Sequence, residues 1–242
     1  KFPANSGDTV LYEQIAANWL KHHIYAMDVG GTITPVDLRM PGYPAYLALV
    51  YLLTGKVGAA ARLWVMLGQI VADLLGCLTI ASLAAGLLVL VDASARVKPV
   101  FVAGLWLGAL CPFTANYTAV LLTETLAVFL TAVTLLFLIG VAANSEDLVF
   151  PKPRERWESK WATDFRYWAV LSGLAAGIGT LFRPETPLLL AAAWLGNAFE
   201  LLPHRRAGHL LRIILYTGLT CALPLVPWAV RNAVTLHEVQ FL

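Results

Sequence analysis

The sequence predicts an all-α fold: a polytopic bundle of transmembrane helices with amphipathic juxtamembrane helices in its first outer loop. Three observations lead there. Of 242 residues, 59% are apolar and only 13% charged, whereas a soluble domain is about a quarter charged. Six apolar stretches, near 63–91, 100–116, 120–143, 168–182, 186–202 and 209–230, approach or exceed the about 20 residues that cross a bilayer. The loops between them alternate between rich and poor in Lys and Arg, which fixes an orientation.

Residues 1–62 form the first element, an outer segment of two interfacial helices. Asp8 follows Gly7 and precedes a helical pattern with Leu11, Ile15 and Trp19 on one face, an arrangement that fits an N-cap. A loop rich in Gly and Thr follows His22-His23, ending Arg39-Met40-Pro41-Gly42-Tyr43-Pro44. Pro44 suits the first turn of a second helix. The apolar run 44–54 is about half the length of a span, so it is expected to lie along the interface.

The bundle, 63–242, follows. Arg183-Pro184-Glu185 alone separates the fourth and fifth spans, which read as a hairpin. Pro224 and Pro227 should kink the last span, each removing a backbone donor. Gly173 and Gly177 form a GxxxG that permits close helix approach. Arg96 and Lys98, then Lys152, Arg154, Arg156, Lys160 and Arg166, then Arg205, Arg206 and Arg212 follow the first, third and fifth spans. The positive-inside rule puts these loops in the cytoplasm, so residues 1–62, Glu124, Arg183 and Arg231 face outward. Trp157, Trp161, Tyr167 and Trp168 gather where an aromatic belt would sit. The start at Lys1 and the stop at Phe241-Leu242, just past a hydrophobic span, predict a piece of a longer protein.

Composition also excludes functions. A net charge of +2 without a basic run gives no groove for nucleic acid. Cys77, Cys111 and Cys221 are odd in number and scattered, matching neither a disulfide framework nor a metal spacing. Adjacent His22 and His23 are not spaced as ligands on one helix face. No metal site is read here.

The informative residues are polar groups at the outer ends of apolar helices, since charge in or beside hydrocarbon is costly and usually functional. Their order is Ser6-Gly7-Asp8, then Arg39 to Pro44, Leu122-Thr123-Glu124, Phe182-Arg183-Pro184, and Pro227-Trp228-Ala229-Val230-Arg231-Asn232. This resembles the GT-C membrane glycosyltransferases, in particular relatives of protein O-mannosyltransferases and lipid A aminoarabinose transferases. The resemblance covers nearly the whole chain. It implies a first transmembrane helix ahead of Lys1 and further sequence after Leu242. It also implies a polyprenyl-phosphate-linked sugar donor, and a hydroxyl acceptor on protein, lipid or glycan. Transfer would occur with inversion, on the outer face of a multi-pass protein of the bacterial inner membrane. Some relatives carry aspartate where Glu124 stands, and some hold a divalent cation, the one cofactor the resemblance leaves open.

Such chemistry needs a carboxylate base for the acceptor hydroxyl, a role the resemblance gives to Asp8, with Glu124 the second catalytic acid. It also needs fixed cations for the departing phosphate, which suits guanidinium. Arg183 and Arg231 are the candidates, with Asn232 as an extra donor. Tyr12 and Arg39 are candidates to touch donor or acceptor, with interface anchoring as the alternative for each. Helix dipoles and snorkelling account for Glu124, Arg183 and Arg231 taken singly, but not for a shared face. Asp73, one turn after Gln69 and well inside the first span, is either functional or a buried, protonated or Gln-paired carboxyl. Two other functions remain open: a transporter or flippase for an anionic lipid, and a module that only binds one.

Overall fold

A computed structural model describes residues 7–92, 94–146 and 164–237. Helices dominate these residues. In chain order they are α1 (Asp8–His22), a hairpin of β1 (Ala26–Val29) and β2 (Thr32–Pro35), α2 (Gly42–Thr54), α3 (Arg62–Val91), α4 (Val97–Ala109), α5 (Pro112–Thr118), α6 (Glu124–Glu146), α7 (Phe165–Thr180), α8 (Pro187–Leu201), α9 (Ala207–Ala222) and α10 (Val226–Thr235).

Three of the helical segments are long and apolar enough to cross a membrane: Arg62–Val91, Glu124–Ser145 and Ala207–Thr235. A fourth, α4 with α5, qualifies if counted together, but it bends by 53°. The expected span 100–116 is thus a bent pair of helices. Pro112 opens α5, and Cys111 before it is extended (φ −69, ψ 110), as the residue preceding a proline prefers. Helices α7 and α8 have 16 and 15 residues, short of the length of six full spans. Pro224 and Pro227 tighten the last span to one 3-10 turn at Leu223–Leu225, and the helix runs on to Thr235. Lys152, Arg154, Arg156, Lys160, Trp157 and Trp161 lie outside the described residues, as does Ser6.

The expected Gly- and Thr-rich loop is a β-hairpin, a small insertion in a mostly helical structure. Gly30 and Gly31 have φ of 62° and 86°, the two positive values a type I′ turn requires. The pairing runs from Ala26↔Pro35 to Val29↔Thr32.

Helices α1 and α2 form a shelf over one end of the bundle. Tyr43, Leu47, Val50 and Tyr51 of α2 are buried against Tyr12 and Ala16 of α1 and against Val65 and Met66 of α3. The opposite face of α2 exposes Leu49, Leu52 and Leu53, an apolar surface suited to an interface. Gly42 is obligatory: its N–H donates to the Leu181 carbonyl at 2.7 Å, and a Cβ there would lie 2.6 Å from that oxygen. Gly173 and Gly177 pack directly on the α9 backbone at Thr217 and Cys221, so the GxxxG is a packing seam.

Burial pushes the Tyr46 and Tyr51 phenols up to about 12 and Tyr43 higher still. The fold thus holds the neutral phenols. Their contribution is complete below the ordinary pKa near 10 and is lost as pH rises through about 12. Absorbance of tyrosinate at alkaline pH should therefore appear late, with loss of the shelf. A normal titration near pH 10 with the fold intact would contradict the buried cluster.

Candidate functional site

The first turn of α1, the chain before α2, the head of α6 and the α7–α8 turn converge at the shelf end. Thr9 Oγ1 donates to the Leu121 carbonyl at 3.3 Å, fixing α1 beside the start of α6. Asp8 sits in the first helical turn while Gly7 takes the N-cap position, and no side chain caps the helix. The N-cap reading is thus corrected: the Asp8 carboxylate turns instead to the Arg39 guanidinium. About half of its side chain is exposed (47%), so solvent and solutes reach it.

Glu124 and Arg183 make the second pair. Arg183 Nη2 donates to Glu124 Oε1 at 2.8 Å, and Nη1 makes a longer contact of 3.5 Å with Glu185. Glu124 Oε2 and Arg39 Nε are buried without a hydrogen-bond partner among the described residues. One acceptor and one donor are thus left for something else to satisfy. Tyr12 stands between the pairs. Burial pushes its phenol up; Arg39 and Arg183 pull it down, and Asp8 and Glu124 push it up. The structure therefore brings Asp8, Tyr12, Arg39, Glu124 and Arg183 together.

Arg231 and Asn232 are placed elsewhere. Arg231 donates to the Val36 carbonyl at 2.9 Å, the Tyr25 carbonyl at 2.7 Å and Asn232 Oδ1 at 2.8 Å. Its guanidinium lies 5.3 Å from the Tyr25 ring centre and 5.1 Å from that of Trp228. The residue expected to hold phosphate instead clamps the hairpin onto α10, because the hairpin carbonyls need donors and Arg231 supplies them. It lines a separate cleft of about 480 Å3 with Trp19, Tyr25, Pro41 and Leu181.

Two polar anchors behind the site are absent from the motif reading. Gln69 is fully buried in α3. It accepts from the Tyr43 hydroxyl at 2.6 Å and donates to the carbonyls of Tyr117, Thr118 and Val120. It thereby holds the turn that delivers Glu124. Its signal in the sequence is a polar amide in an apolar span, which demands partners. The Asp73–Gln69 pairing is thus corrected: the Gln69 amide is taken up by Tyr43 and the carbonyls ahead of α6, and Asp73 lines a cavity with Thr114 instead. The other anchor is a bidentate ion pair, Arg62 to Glu13 at 2.9 and 2.8 Å, joining α1 to α3.

Below Glu124 and Arg183 opens a cleft of about 540 Å3. Ala127, Val128, Thr131, Ala132 and Leu135 of α6 line it, with Ile80 of α3 and Leu189 of α8. It follows α6 for ~16 Å at 1.5 Å per residue. Glu185 also stands at this mouth, so two carboxylates share the Arg183 guanidinium over an apolar trough, a shape that suits an amphiphile. Among the described residues no three His, Cys, Asp or Glu side chains gather as a metal site. Each of Asp8 and Glu124 faces a guanidinium.

The chain matches no protein-family model, no curated protein and no solved structure with which it was compared.

Proposed function

We propose that this chain is the core of a membrane glycosyltransferase of the GT-C kind. It would move a sugar from a polyprenyl-phosphate donor to a hydroxyl acceptor on protein, lipid or glycan. The observation that carries the reading is the cleft with Glu124 and Arg183 at its mouth and apolar α6 along its floor. The acceptor oxygen forms a bond to the anomeric carbon from the face opposite the phosphate, whose C–O bond breaks. The acceptor proton passes to Asp8, and the electron pair leaves with the phosphate. Arg183 gathers the growing negative charge, and such stabilisation is commonly the largest catalytic term. Glu124 aims Arg183 through one oxygen and offers the other to a hydroxyl. The site faces outward from a bacterial inner membrane in this reading, as the basic loops suggest.

Transport of an anionic lipid is the second reading, favoured by the bent α4–α5 pair, since broken helices recur in transporters.

Binding and turnover separate the two. Membranes containing the protein are offered C55 polyprenyl phosphate and its labelled mannosyl, glucosyl and aminoarabinosyl esters. The expected result is binding of the phosphate, sugar release from one ester, and binding about tenfold weaker or worse in Arg183→Ala. That size corresponds to one charge-assisted hydrogen bond. Lipid moved across the bilayer with its sugar bond intact would favour transport. Failure of the wild type to bind polyprenyl phosphate would overturn both readings.

A further inference from the structure

A second cavity adjoins the cleft on a neighbouring face of α6. Gly76 lies beside Phe129 and Gly86 beside Ile139, so α3 and α6 run parallel at a constant offset. That offset sets Asp73 opposite Leu126, level with the head of α6 rather than deep in the bundle. Asp73, Thr114 and Thr125 line this cavity of about 390 Å3, together with Cys77 and Cys111. Ile80 and Val128 line both spaces, so the cavity is an immediate neighbour of the Arg183 cleft.

Its polar groups are incompletely used. Thr125 is 5% exposed, and its Oγ1 has no hydrogen-bond partner among the described residues. A helical threonine ordinarily donates to the carbonyl four residues back, as Thr134, Thr180 and Thr217 do here. For Thr125 that carbonyl belongs to Leu121, which accepts from Thr9. An unsatisfied buried hydroxyl costs about 1–3 kcal/mol, so a partner entering the chamber is called for. The Thr114 hydroxyl donates to the Cys111 carbonyl at 3.2 Å and lines the same cavity as Asp73. Asp73 keeps free lone pairs for further donors. One carboxylate and two hydroxyls are too few ligands for a divalent cation. They suit a group carrying hydroxyls, while Gly104 and Gly108 let α4 pack closely on α3 at Ala81 and Cys77 behind it.

We infer that this chamber receives the sugar of the lipid-linked donor, with Asp73 accepting from its hydroxyls and Thr125 completing the set. The phosphate then lies at Arg183 and the isoprenoid chain along α6. This rests on the glycosyltransferase reading and adds the sugar subsite to it.

The test compares binding of bare C55 polyprenyl phosphate with binding of its mannosyl, glucosyl and aminoarabinosyl esters. Wild type, Asp73→Ala and Thr125→Val are measured in membranes. The wild type should bind one ester about tenfold tighter than the bare lipid. Both variants should lose that preference while keeping their affinity for the bare lipid. Removing a carboxylate from apolar surroundings does not threaten the fold. Cys111 gives a second readout: the favoured ester should slow its labelling by N-ethylmaleimide, and the bare lipid should not. A wild type without sugar preference, or a preference surviving Asp73→Ala, overturns the subsite and leaves the donor-phosphate reading standing. Failure to bind the bare lipid overturns both.

Discussion

Asp8→Asn should lower sugar transfer by about 10²–10⁴-fold, the usual worth of a positioned general base. Binding of C55 polyprenyl phosphate should stay unchanged. The amide keeps the shape and still accepts from Arg39, but it cannot take the acceptor proton. Asp8 sits on the first turn of α1, outside the apolar cleft, so its loss does not touch the lipid. The Asp8–Arg39 pair is half exposed (47% and 32%), and exposed pairs contribute only about 0–1 kcal/mol, so the variant folds. Equal transfer by wild type and variant would leave Asp8 as no more than a partner for Arg39.

Glu13→Gln should destabilise the protein by about 3 kcal/mol, the low end for breaking a buried ion pair. Arg62 and Glu13 keep only 9% and 11% of their side chains exposed, and no other ion pair of the described residues joins α1 to α3. Removing one carboxylate leaves a guanidinium with little water and no counter-charge. The shelf should loosen first, since α1 carries Asp8 and Tyr12 on the same helix. Thermal unfolding in detergent should show the loss, and transfer should fall with it. Glu13→Leu combined with Arg62→Met should recover most of the stability, because well-packed apolar pairs replace buried ion pairs at little cost. Unchanged unfolding in Glu13→Gln would mean that the apolar shelf core alone holds α1.

The helices were legible because their signal is local. Apolar runs near 63–91, 120–143 and 186–202 correspond to Arg62–Val91, Glu124–Glu146 and Pro187–Leu201, since every residue of a helix contributes to the same hydropathy window. Polar residues at helix ends were legible for a related reason: charge beside hydrocarbon stands out whatever it touches. The Pro112 break and the Gly30-Gly31 turn were written in the sequence too, as local backbone constraints. An average over an 18-residue apolar window hides the first, and four-residue strands are too short for periodicity to reveal the second.

Apolar helices long enough to cross a membrane and a set of candidate charges can be read from the residues in order. Which charge meets which is a property of the packed chain. Asp8 meets Arg39 across 31 residues of chain, and Glu124 meets Arg183 across 59. Arg231 goes to the hairpin 195 residues away and not to the mouth of the cleft. The offset between α3 and α6 brings Asp73 level with Glu124. The physical reason is that burial cost can be read from one residue and its neighbours, whereas the partner that offsets it depends on distances set by packing.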